Sequence, residues 1–235
     1  MSGSSGGGYG AARTNEPTRE DSVTTTPGSS AMLTALDDET AALVHLAAML
    51  AGGSEAQVRA ALTAALGTVR SVWVEEVILQ TYLFAGFPRA LNSAREWRRI
   101  TGEKGPDVDV FGIDDPIERQ QKGEATCATV YGRFYERLRV NIHELHPALD
   151  RWMVEEGYGK VLSRAPLDLA RRELCVVAAC AIAKQDRQLH SHLHGALHAG
   201  ASEATVTAAL AVIAPLLEPD DVRRYQGLWA RVLGK

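Results

Sequence analysis

At 235 residues, 46% hydrophobic and 6% aromatic, the chain can bury a substantial core in one or two compact units, and its alanine-rich make-up suits packed helices better than sheets. A formal net charge of −4 with interspersed signs and no basic stripe interleaved with aromatics excludes the usual footprint of a nucleic-acid partner. No stretch of bilayer-crossing length is free of charges and no basic-then-apolar leader is present, so no membrane partner is expected and the expected compartment is the cytoplasm.

Residues 1–31 are rich in Gly, Ser and Thr with almost no apolar content, and read as a disordered leader that cannot compensate the entropy of ordering. Asp37-Asp38 can cap a helix running to Ala51 before Gly52-Gly53, and Ser54 a second to about Leu66, with Gly67 ending it. A third helix, roughly Val69 to Ala85, carries Val74, Val77, Ile78, Thr81 and Tyr82 along one apolar face, which makes Tyr82 a candidate pocket residue. Gly86-Phe87-Pro88 breaks it, and Pro88 suits the first turn of a fourth helix to about Ile100. These elements form a first unit over residues 32–100. Residues 101–116, TGEKGPDVDVFGIDDP, hold glycine, proline and acids without a sustained period, and form the expected linker.

A second unit occupies residues 117–235. It begins with a predicted helix from about Ala125 to His143, and His146-Pro147 restarts one that ends near Gly157. Tyr158-Gly159 opens a short connection that holds Arg164 and Pro166, and Asp168 caps the next helix. Ser202-Glu203 and Pro219-Asp220 mark the starts of the last two.

Between them lies the stretch with most chemistry, RRELCVVAACAIAKQDRQLHSHLHGALHAG, residues 171–200. Leu174, Val177, Ala178 and Ile182 recur at helical steps. Glu173 is the one acid of an otherwise apolar run that reaches Lys184. A turn at Lys184-Gln185-Asp186, with Asp186 as N-cap, folds a second helix back to Gly200. That brings Glu173 opposite Gln188 and His192: a carboxyl group, an amide and an imidazole on one helix pair. Tyr158 is a second candidate pocket residue, and Arg164 lies in the same connection.

Three cysteines, Cys127, Cys175 and Cys180, make no disulfide framework. Cys175 and Cys180 rise roughly 7.5 Å along one helix and point to different sides. His190, His194 and His198 form a helical stripe, but no carboxylate completes it, so no metal is expected and a solvated or subunit-facing row is preferred. A weak internal repeat relates the two units: Arg59 stands eight residues before Gly67, as His192 does before Gly200. The first unit is expected to have lost any site.

The run Tyr158-Gly159-Lys160-Val161-Leu162-Ser163-Arg164, then Leu167, Arg172-Glu173-Leu174, His192, Ala196-Leu197 and Gly200-Ala201-Ser202 resembles the carboxymuconolactone decarboxylase family in order and spacing. Glu76-Val77-Ile78-Leu79-Gln80, Tyr82, Ala85-Gly86-Phe87-Pro88 and Ala90-Leu91 resemble that family's carboxy-terminal signature. Two such units in one chain is the layout of the related alkylhydroperoxidase D proteins. The likeness covers about residues 36–232. It implies an all-α fold of two helical repeats, homo-oligomers such as trimers or hexamers, and no cofactor.

The family's peroxidase branch uses a glutamate, two cysteines separated by two residues, and a histidine. On this chain the glutamate falls on Glu173 and the histidine on His192, but the cysteine positions hold Gln185 and Gln188. Peroxidase activity is therefore disfavoured, since glutamine is no thiolate nucleophile. The decarboxylase branch resembles the chain better, although it usually carries a glutamate where Gln188 stands. It implies a cofactor-free lyase or isomerase acting on a small carboxylated or lactone-type molecule, with His192 shuttling a proton, Glu173 orienting its ring and Arg164 gripping the substrate. The third expectation is a non-catalytic helical oligomer that binds a small molecule or a protein.

Overall fold

The computed structural model describes residues 36–235, so the expected leader over residues 1–31 lies outside the described residues. Within them the chain is all-α, with no strand. Four helices come first: α1 (Asp38–Gly52), α2 (Glu55–Ala65), α3 (Ser71–Ala85) and α4 (Phe87–Thr101). After the 102–115 segment follow α5 (Pro116–Tyr131), α6 (Tyr135–Leu145) and α7 (Pro147–Trp152). The last four are α8 (Leu169–Ile182), α9 (Asp186–His198), α10 (Glu203–Ile213) and α11 (Pro219–Val232).

Local sequence sets most of these boundaries. Asp37, Ser54, Asp168 and Ser202 each accept a backbone N–H from the first turn they cap, as short polar N-caps do. Ser54 and Gln57 complete a reciprocal capping box. Asp186 does not cap α9; it is the first helical residue, and Gln185 precedes it without a side-chain cap. The turn is made instead by Lys184 at φ 55°. Asp186 reaches Arg224 of α11 at 2.8 Å.

Two predicted boundaries move. The helix expected from Ala125 begins at Pro116, because Asp115 accepts from the N–H groups of Ile117 and Glu118 and Pro116 sits at its first position. It does not run on to His143: the chain breaks in a 3₁₀ turn at Gly132–Phe134 before α6. Further on, no open connection starts at Tyr158. From Met153 the helix widens into a π-helix that reaches Leu162, a form found mostly in short pieces and often near functional sites. A Cβ on Gly123 of α5 would stand 2.3 Å from the Val154 carbonyl oxygen, and one on Gly159 would stand 2.4 Å from that of Arg119. The two bare residues let α5 and the π-helix lie backbone to backbone, which turns Tyr158 inward.

The core is one cluster, centred where α8 packs on α1 and α9. Leu43, Leu46, Leu50, Leu62, Leu174, Leu189 and Leu193 are fully buried in it. Every residue of α8 from Arg172 to Ala181 is buried, so the two charged residues of that run, Arg172 and Glu173, must find their partners inside the protein.

Candidate functional site

Glu173 finds its partner on α9. Its Oε2 lies 2.7 Å from His192 Nδ1, with Glu173 wholly buried and His192 4% exposed. Gly195, one turn after His192, provides the room: a Cβ there would stand 2.4 Å from Glu173 Oε2 and 2.7 Å from Val130 Cγ1. The other carboxyl oxygen, Oε1, is buried without a hydrogen-bond partner. With Nδ1 committed to Glu173, Nε2 is the imidazole nitrogen left to meet another molecule.

Aromatic rings enclose that imidazole. Phe84 of α3 meets it edge-on at 5.8 Å between centroids, and Tyr131 of α5 lies at 6.4 Å. Tyr131 also packs edge-on against Tyr158, with 6.2 Å between ring centroids. Burial pushes the Tyr131 phenol up to about 12, and Tyr158 well above its ordinary range. Both therefore stay neutral and can act as hydrogen-bond donors. Tyr131 in addition lines a cavity of about 370 Å³, together with Val130, Phe134, Leu138, Asn141, His190, Ser191 and His194.

Of the residues expected at the site, Glu173, His192 and Tyr158 come together. Gln188 sits one turn before His192 but is exposed, as is Gln185. Tyr82 does not join them: it packs edge-on against Phe87 at 5.6 Å, and Phe84, two residues on, takes the place beside the imidazole. Two helical residues apart is roughly 200° around the axis, so one face cannot serve both.

Arg164 is elsewhere too. Its Nε donates to Glu76 at 2.9 Å and its two terminal nitrogens donate to Asp109 at 2.9 and 2.8 Å. Arg172 donates to the same Glu76 at 2.6 Å and to the Arg164 carbonyl at 3.0 Å. Arg164 thus ties the 102–115 segment to α3 and α8, and its fork is filled without a substrate. Tyr131, Phe84 and Gly195 were not singled out from the sequence. The glycine left a trace there, as the one residue of the α9 run without a side chain.

The three cysteines are free and buried, and burial pushes each thiol up to about 12. They lie in the core as small apolar groups. Along α9, His190 meets His194 edge-on at 5.1 Å and His194 stacks on His198 at 6.2 Å between rings, and His198 Nδ1 lies 2.8 Å from the Val130 carbonyl oxygen. Among the described residues no group of three or more His, Cys, Asp or Glu is placed to hold a metal ion. Among them, too, no helix is long and apolar enough to cross a membrane.

The model of the Carboxymuconolactone decarboxylase family matches residues 147–219. Peroxisomal protein 2 of Schizosaccharomyces pombe is 29% identical over 140 residues, which is 58% of this chain and 64% of that protein. The match thus spans less than two thirds of that relative. The matched segment contains Tyr158, Glu173, Gln188 and His192, and over it the chain is similar to the carboxymuconolactone decarboxylase family.

Proposed function

We propose that this protein is a cofactor-free lyase or isomerase that moves a proton on a small carboxylated, lactone-type molecule, with His192 as the group that exchanges it. The observation that carries this reading is the buried 2.7 Å contact between His192 Nδ1 and Glu173 Oε2, which fixes the ring and leaves Nε2 as its acid–base atom. In a decarboxylation the bond to the carboxylate carbon breaks, carbon dioxide leaves, and the electron pair remains as a dienolate. His192 Nε2 then delivers the proton that quenches it. Tyr131 and Tyr158, held neutral by burial, supply hydrogen-bond donors beside the path, where developing negative charge is stabilised best in a dry setting. Since Arg164 is filled by Glu76 and Asp109, the group left for a substrate carbonyl is the exposed Gln188 amide.

Thiol-dependent peroxide reduction is not proposed. It requires a thiolate of lowered pKa at an accessible position, and all three thiols here are buried and pushed the other way. The test of the lyase reading is a spectrophotometric assay on 4-carboxymuconolactone, run beside His192→Gln after both proteins are shown to be folded. Turnover by the parent at least a hundredfold above the variant is expected, in line with the usual 10²–10⁴-fold worth of a positioned acid–base group. No turnover by either protein removes this substrate.

A second copy of the chain is the proposed partner. Helix α6 buries none of its residues, and Val140, Leu145, Leu149 and Trp152 are between 47% and 72% exposed along α6 and α7, an apolar face that association would cover. Light scattering should give a trimer or hexamer for the parent and a lower mass for Leu145→Asp. A monomeric parent sinks this proposal.

A further inference from the structure

A cavity of about 530 Å³ lies where α3 and α4 meet the 102–115 segment, and it shares no lining residue with the His192 site. Its walls are largely apolar, with Val72, Ile78, Leu79 and Ala94 from the two helices and Val108 and Phe111 from the segment. The segment also displays apolar side chains outward: Val108 is 69% exposed and Val110 75%. Such residues next to a cavity are a cost that a bound molecule relieves. The segment is pinned between its ends by the Asp109 carboxylate, which accepts from both terminal nitrogens of Arg164. That grip holds the Asp109 carboxyl below its ordinary range.

Two further observations define what fits. Trp97 of α4 lines the cavity, is 1% exposed, and its indole N–H has no acceptor in the protein. A buried donor without an acceptor is rare, and points to a group or a water that the protein itself does not supply. The charges of the lining are also already matched: Glu75 bonds Arg98 at 2.8 Å, and Glu76 and Asp109 bond Arg164 at 2.9 and 2.8 Å. Glu103 and Lys104, of opposite sign, stand exposed at the rim. An anionic ligand would lie beside three carboxylates whose cations are engaged; a cation would find no carboxylate free of a partner inside.

We infer that this cavity is a second binding site, separate from the His192 site, for a neutral molecule with an apolar chain and one hydrogen-bond-accepting oxygen, of the ketone or ester class, which Trp97 Nε1 donates to while the 102–115 segment covers the chain. Apolar contact supplies the affinity and the indole supplies the orientation.

The test uses methyl ketones from 2-pentanone to 2-undecanone, with nonane and nonanoate as controls, titrated into the ¹⁵N-labelled full chain. The Trp97 indole resonance is assigned by its loss in Trp97→Phe. Saturable shifts of that resonance by 2-nonanone are expected, with affinity rising along the series. Nonanoate should bind at least tenfold more weakly, and nonane should bind without shifting the indole proton downfield. Ala94→Trp, which fills the cavity from the wall and keeps Trp97, should reduce 2-nonanone affinity at least tenfold. It keeps the test decisive should Trp97→Phe fold poorly. A Trp97 resonance that does not respond, equal binding of nonanoate, or full affinity in Ala94→Trp would each overturn the assignment.

Discussion

On the sequence offset that sets His192 against Arg59, helices α8 to α11 fall on helices α1 to α4, and the buried position that carries Glu173 falls on Thr40. The same offset that takes His192 to Arg59 and Gly200 to Gly67 takes Glu173 to Thr40 and Gly195 to Leu62. Glu173 turns to its own neighbour α9 and meets His192. The Thr40 hydroxyl instead accepts from Arg171 of α8 at 2.8 Å, and Arg59 turns outward to Glu96 of α4. Leu62 is fully buried where the second unit has a bare glycine. One unit has used the space between its first two helices for leucine packing, the other for an acid–imidazole pair. A buried carboxyl group therefore depends on a missing side chain on the facing helix as much as on its partner.

The largest effect should come from removing the partner. His192→Ala leaves Glu173 buried with neither of its oxygens satisfied, since Oε1 already lacks a partner. Breaking a buried pair on one side costs about 3–5 kcal/mol, and denaturant unfolding should show a loss of that size. A loss under about 1 kcal/mol would mean that water reaches the carboxyl group and the site is not dry.

Next comes the notch. Gly195→Leu imposes on the second unit the residue of the first, and its Cβ alone would fall 2.4 Å from Glu173 Oε2. Overpacking of this kind costs typically about 1–3 kcal/mol. Combined with Glu173→Thr, the same change should cost less than the sum of the two single variants, because threonine vacates the contested space. A double-variant cycle in urea measures this coupling, expected at roughly 1 kcal/mol or more for residues in direct contact. Strict additivity would show that the glycine does not exist for the carboxyl group.

How far the sequence reveals this pair follows from the same geometry. Glu173 and His192 stand out because a single acid in an apolar helical run, and a histidine on the next helix, are visible in the pattern of types. Phe84 and Tyr131 do not, because which aromatic faces inward depends on helix phase. Tyr82 and Phe84 differ by two residues, and Tyr131 precedes the break at Gly132 that the expected single helix over 125–143 ran through. Arg164 is misleading for a different reason. Its partners, Glu76 and Asp109, lie 88 and 55 residues away along the chain, and no local pattern reports a contact of that separation. The π-helix over 153–162 escapes a reading built on a period of 3.6, and with it the inward turn of Tyr158.

The smallest expected effect tests whether the first unit can regain what the second has. Arg59→His places an imidazole at the position related to His192, at the expense of the Arg59–Glu96 pair. Arg59 is 53% exposed there, and exposed pairs contribute about 0–1 kcal/mol, so stability should change within that range. No buried acid–imidazole pair should form, because the facing residue is Thr40, Leu62 occupies the notch and Glu96, the acid within reach, stays bonded to Arg99. The new histidine should therefore titrate near the ordinary imidazole value of about 6.5, followed by proton NMR of its ring. A titration well above that value would mean that Glu96 leaves Arg99 to pair with the imidazole. Its ordinary value in Arg59→His, and a raised one after Thr40→Glu and Leu62→Gly are added, would show that the difference between the units lies in these three positions and not in the backbone they share.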